Sequence, residues 1–115
     1  MAIKFRNLSV SPGFHIETGN GWKKLITECF IELDSLNIRI RILQVNEKFG
    51  GLSIYYDLNG VDNVKVEKIV RKYITQAYKT CESCGSIENV STKAITGYWD
   101  ISTQCEKCFS KGKSQ

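Results

Sequence analysis

The chain has 115 residues, of which 42% are hydrophobic and 24% charged, enough for one modest core and too apolar for a disordered segment. It holds no apolar run approaching a membrane span, and its first residues carry neither the apolar stretch nor the cleavage site of a secretory leader, so a soluble intracellular protein is expected. The formal charge of +4 is a weak basic bias that does not by itself indicate a nucleic-acid partner.

Residues 1–16 alternate loosely. Ile3 and Phe5 stand against Lys4 and Arg6, followed by Leu8, Val10, a Pro12-Gly13 turn, Phe14 and Ile16. This pattern predicts one or two short strands. His15, the only histidine, has no companions for a metal site or a catalytic triad and reads as a surface or strand residue. Gly19-Asn20-Gly21 then breaks the chain, with Asn20 placed to cap a helix. Trp22, Leu25, Ile26, Cys29, Phe30, Leu33 and Leu36 recur at helical spacing and predict an amphipathic helix. Cys29 lies within the apolar stripe and reads as a buried thiol. Ile31 projects from the other side, beside Lys24, Glu28 and Ser35, where it is either covered or part of a contact surface.

Residues 38–42 alternate isoleucine with Arg39 and Arg41, and residues 52–58 repeat the alternation beyond Phe49-Gly50-Gly51. The two segments predict an antiparallel hairpin with Ile38, Ile40, Ile54 and Tyr56 inward and Arg39, Arg41, Tyr55 and Asp57 outward. The phase slips at Ile42-Leu43, which a bulge absorbs. Phe49 is expected to pack back on the sheet while the glycines supply positive φ. A second helix is expected over 62–79, since Val66, Ile69, Val70, Tyr73, Ile74 and Ala77 share one side while Lys65, Lys68, Lys72 and Lys79 line the other.

That helix runs directly into Cys81. Cys81/Cys84 and Cys105/Cys108 are two Cys-x-x-Cys pairs with 20 residues between them. Two-residue spacing lets both sulfurs of a turn face one point, and two such turns provide the four thiolates that tetrahedral Zn2+ prefers. A structural zinc is the leading reading, with an iron centre or a redox pair as alternatives; four sulfurs leave no position for a catalytic water. Counting four thiolates and one divalent ion lowers the net charge to about +2. Tyr98-Trp99 falls in a hairpin between the pairs, and the tail from Ser110 is expected to be loose. The whole reads as an α+β fold, a small antiparallel sheet packed by two helices over 1–80, with a four-cysteine zinc subdomain over 81–115 continuous with the second helix.

Gly19-Asn20-Gly21-Trp22, the block Glu47-Lys48-Phe49-Gly50-Gly51-Leu52 running to Tyr55-Tyr56, and Cys81-Glu82-Ser83-Cys84-Gly85 with a late cysteine pair together form a pattern. It is similar to a widespread set of small phage and prophage proteins that carry a G-x-GW helix start, an EKFGGL hairpin and a zinc-binding C-terminus. Cys108 stands where many of those relatives use His, a change that leaves the metal assignment intact. The resemblance implies a phage origin and a location in the cytoplasm of the bacterial host. In size and metal use the chain also resembles the zinc-containing anti-CRISPR inhibitors of type II systems. That likeness implies a non-enzymatic interaction protein, with the type II RNA-guided nuclease as partner and DNA loading or cleavage blocked.

Candidate contacts for such a partner are Arg39, Arg41 and Tyr55, the stripe Lys65, Lys68, Lys72 and Lys79, and the aromatic pair Tyr98-Trp99, because arginines and aromatics concentrate binding energy when desolvated. The plainer reading makes the lysine stripe a solvated helix side and the aromatic pair a roof over the metal loop. The alternative function is a nucleic-acid-binding, zinc-ribbon-like module, disfavoured by the small net charge and the interspersed acids. An enzyme is not expected: no nucleophile with its base, no paired carboxylates in one motif and no phosphate-cradling glycine loop is present.

Overall fold

The computed structural model describes residues 5–60, 62–95 and 100–113. Strands β1 (Leu8–Val10) and β2 (Ile16–Glu17) lead through a single 3-10 turn, Asn20–Trp22, into helix α1 (Lys23–Asp34). The stripe Leu25, Ile26, Cys29, Phe30 and Leu33 is buried, and Trp22 is fully enclosed. Asn20 does not cap the helix: it opens the 3-10 turn, and α1 starts without a side-chain cap.

Strand β3 (Ile40–Lys48) and strand β4 (Gly51–Asp57) form the expected antiparallel pair. Ile42 faces Tyr56 and Gln44 faces Tyr55, so Leu43 is the extra residue of a bulge, where the alternation slips. The sheet as a whole differs from the antiparallel expectation. Leu8–Val10 pairs with Ile40–Ile42 and Ile16–Glu17 with Val45–Asn46, both in parallel. The cause is the connection: β2 reaches β3 through α1, and a chain that crosses over through a helix returns in the same direction. β1 and β2 therefore lie one after the other along a single edge of β3, parted by the turn at Pro12-Gly13.

Helix α2 (Val64–Ala77) begins at Asn63, whose side-chain oxygen accepts from Lys65 N at 2.9 Å and Val66 N at 3.2 Å. Val66, Val70, Tyr73 and Ala77 face inward at helical spacing and join α1 and the inner sheet face in one core. Val66 and Val70 each contribute about 1.5–3 kcal/mol through the apolar area they remove from water. Beyond α2, strands β5 (Val90–Ala94) and β6 (Ile101–Cys105) pair antiparallel, and helix α3 spans Glu106–Lys113. Residues 110–113 of the tail are thus helical and not loose, following Phe109, which is buried beneath the Lys93 ammonium, 4.6 Å from the ring centre; the last two residues lie outside the described ones.

The two long helices are pinned by one polar contact. Glu32 accepts from Lys72 Nζ at 2.8 Å through each oxygen and from the Tyr73 hydroxyl at 2.7 Å. The Lys72 ammonium and then the Tyr73 hydroxyl hold the Glu32 carboxyl below its ordinary range. Burial pushes the nearby Cys29 thiol up to about 12, so it stays protonated as a core residue.

Because the Glu32 pKa is lower in the folded chain, its contribution is complete above the unfolded value and is lost as pH falls through the folded one. A Glu32→Gln chain should lose about 1 kcal/mol at pH 7, and its melting temperature should fall less steeply than the native chain's between about pH 5 and pH 3. Thermal melts across that interval check both statements.

Candidate metal centre

Helix α2 ends as Thr80 turns back, its hydroxyl donating to Gln76 O and its N–H to Ala77 O. The next six residues, Cys81 to Ser86, close a tight loop in which Cys81 N donates to Ser86 O at 2.7 Å and Gly85 N to Cys81 O at 2.9 Å. Gly85 has φ +83, the left-handed value this loop requires and that residues with a Cβ rarely adopt. Cys105 closes β6 and Cys108 sits in the first turn of α3, three positions later on one helix side. The two pairs converge: the sulfurs of Cys81, Cys84, Cys105 and Cys108 all lie within 4.8 Å of one another.

All four are free thiols. A tetrahedral metal with bonds of about 2.3 Å sets its sulfurs about 3.8 Å apart. Cys84 Sγ and Cys105 Sγ are 3.7 Å apart. The residues therefore fit a metal ion, and with one held all four positions would be sulfur. Cys81 and Cys105 are buried, while Cys84 faces solvent.

The electrostatics follow from crowding. Burial pushes the Cys81 thiol up, but N–H donation from Cys84, Cys105 and Ser83 outweighs it and brings the thiol down to about 6. Cys108 moves the other way, raised by burial and by its sulfur neighbours. A first thiolate makes the next harder to form, and a divalent cation removes that repulsion by displacing the protons.

This end is set against the core by two close backbone approaches, and both fall on glycines. Gly21 N donates to Glu82 O at 2.7 Å, Gly19 N to Glu82 Oε2 at 2.9 Å, and Trp22 Nε1 to Thr80 O at 2.9 Å. A Cβ on Gly21 would collide with the carbonyl of Cys81 and the backbone of Glu82. At the other contact, the β3–β4 turn has φ 52 at Phe49 and φ 83 at Gly50, the paired left-handed values of a type I′ hairpin. Glu47 closes it by accepting from Gly50 N at 2.6 Å. The Thr103 hydroxyl donates to Gly50 O at 2.5 Å and lies 2.6 Å from the Thr92 hydroxyl. Since Thr103 has one proton to give, Thr92 is the donor to Thr103. A Cβ on Gly50 would come within 2.7 Å of Thr92 Cγ2, and one on Gly51 would collide with the Tyr78 hydroxyl. Glycines that the sequence explains by local turns thus also serve tertiary contact. The partners Thr80, Glu82, Thr92 and Thr103 carried no sequence signal of their own.

The remaining candidates are dispersed. Arg39, Arg41 and Tyr55 are exposed on the sheet face away from the helices. Arg41 meets Asp57 at 3.2 Å, and the Tyr55 hydroxyl accepts from Lys48 Nζ at 2.9 Å. Lys65, Lys68 and Lys72 are exposed on α2 and Lys79 is exposed in the turn just beyond it, but Lys72 is engaged by Glu32 and is not an idle cation. Tyr98 and Trp99 lie outside the described residues. Phe49 does not pack back on the sheet: it is 65% exposed. Comparison with family models, with curated proteins and with solved structures returns no match.

Metal removal by a strong chelator, or Cys105→Ser, should lower the melting temperature by more than about 10 °C, and proton competition should weaken metal binding as pH falls. Elemental analysis and calorimetry with and without chelator measure this. Gly21→Ala should destabilise by about 2–4 kcal/mol with all four cysteines intact, because the knuckle must move off its seat. Denaturant melts of the metal-loaded chain give that value.

Proposed function

We propose that the protein is a non-enzymatic, Zn2+-stapled interaction protein and that its partner, as the sequence resemblance implies, is a type II RNA-guided nuclease whose DNA loading or cleavage it blocks. The ion is structural. Four thiolates at tetrahedral spacing suit zinc, and once bound it has no open position for water or substrate. Its task is to hold β5, β6 and α3 on the core, leaving the exterior to act.

The observation that carries this reading is Phe49. The residue occupies the first central position of a type I′ turn with φ 52, where Asn, Asp or Gly is the ordinary choice. A left-handed conformation costs a residue with a Cβ about 1–2 kcal/mol. The phenyl ring is 65% exposed. An aromatic side chain held stiffly at a hairpin tip, next to a Lys48 whose ammonium donates to the Tyr55 hydroxyl, has the character of an interface anchor, and strained backbone of this kind concentrates at functional sites.

Phe49→Asn should raise the melting temperature, since it relieves the turn, and should abolish inhibition in a DNA-cleavage assay using a purified guide-loaded type II effector. A destabilised Phe49→Asn chain would make the ring structural and remove the anchor. Failure of the native chain to slow cleavage by any effector tested would remove the nuclease as partner.

A further inference from the structure

Three of the chain's four arginines converge on one concavity that the metal end does not touch. Arg6 precedes β1, Arg39 precedes β3 and Arg41 lies within it, and all three line a cup of about 360 Å³ together with Ser9, Asp57 and Asn59. The parallel register makes the convergence. Leu8 lies beside Ile40 and Ser9 beside Arg41, and Ile40 N donates to Asn7 O, so the chain just before β1 runs alongside the chain just before β3.

The acids near the cup are already engaged. Asp57 accepts from Arg41 through Oδ2 at 3.2 Å and from Asn59 N through Oδ1 at 3.0 Å. Asp34, behind the same strand, accepts from Asn7 N at 2.7 Å and from Leu8 N at 2.9 Å. Arg6 and Arg39 make no ion pair among the described residues. Arg6 lies close enough to Asp34 for its charge to help hold that carboxyl down, but forms no direct ion pair with it. Two guanidiniums with no direct ion pair, a third held in place by a carboxylate, and a serine hydroxyl at the rim form a cationic site. The planar fork of each guanidinium donates two parallel N–H groups, which match phosphate oxygens in pairs.

The geometry points to a phosphate-binding site in this cup, with Arg6 and Arg39 as its direct donors and Arg41 as a third donor oriented by Asp57. The ligand is a phosphate group, whether free or as part of a nucleic-acid backbone. Binding goes beyond nuclease inhibition and does not rest on it, because the cup shares no residue with the Phe49 turn.

The test uses the full metal-loaded chain and two probes, inorganic phosphate and a fluorescein-labelled single-stranded oligothymidylate. Phosphate should shift the side-chain N–H resonances of Arg6 and Arg39, and the oligothymidylate should bind with an affinity that falls as salt is added. Arg6→Gln and Arg39→Gln should each weaken binding about tenfold and each lower the salt slope by about one. These residues are exposed, so melting temperatures should be unchanged. An oligothymidylate that binds far more tightly than inorganic phosphate identifies a nucleic-acid backbone as the source; equal binding identifies the free anion. No response to either probe would overturn the site. Binding unchanged in the Arg6→Gln/Arg39→Gln chain, or lost equally in a Lys65→Gln/Lys68→Gln chain, would also overturn it, the last outcome showing only diffuse attraction to a basic surface.

Discussion

Four sulfur atoms within 4.8 Å of one another cannot all ionise unless a cation lies between them, and most of the C-terminal architecture depends on that requirement. The segment from Cys81 to Cys108 has few large apolar groups, and of its described residues only Cys81, Thr103 and Cys105 are buried inside the span. Burial alone would not fix two strands and a helix. A structural metal is worth about 10–16 kcal/mol in small peptides, which exceeds anything this stretch gains from area. A bound ion would supply the end's rigidity, and the core supplies its address.

That address is written in glycine. Gly19 and Gly21 receive the first knuckle, and Gly50 and Gly51 receive the β5–β6 hairpin and the Tyr78 hydroxyl. The carbonyl oxygens and amides that meet there form hydrogen bonds of 2.5–2.9 Å, which a side chain at any of these positions would hold apart. The Glu82 carboxyl shows the tension of the arrangement: burial raises it, the Gly19 N–H opposes, and the charge of Glu47 raises it again. A metal held by the four cysteines, with these few close backbone contacts, would do the work that a second hydrophobic core does in a larger protein.

Much of this was legible in the residues, for physical reasons that can be named. The stripes from Leu25 to Leu33 and from Val66 to Ala77 carry strong helical periodicity, and the slip at Ile42-Leu43 marked the bulge at its true position. The cysteine spacing announced the cluster. Strand direction was not legible, because Leu8–Val10 and Ile16–Glu17 are too short to encode a partner, and their pairing is decided by the α1 crossover. Phe49 misled because an aromatic beside a sheet ordinarily packs on it; here the turn geometry aims it outward. The engagement of Lys72 by Glu32 and the convergence of Arg6 with Arg39 are tertiary facts, separated by 40 positions in the first case, and no local pattern contains them.

The meeting of Gly19 with Glu82 joins positions 63 apart. On a ribosome the seat for the knuckle emerges early and stays bare until the residues around Glu82 have been made, and the fourth sulfur follows later still. Such long-range closure slows assembly. It also means that a chain cut short before Cys81 carries an open socket at Gly19 and Gly21 and none of the four ligands.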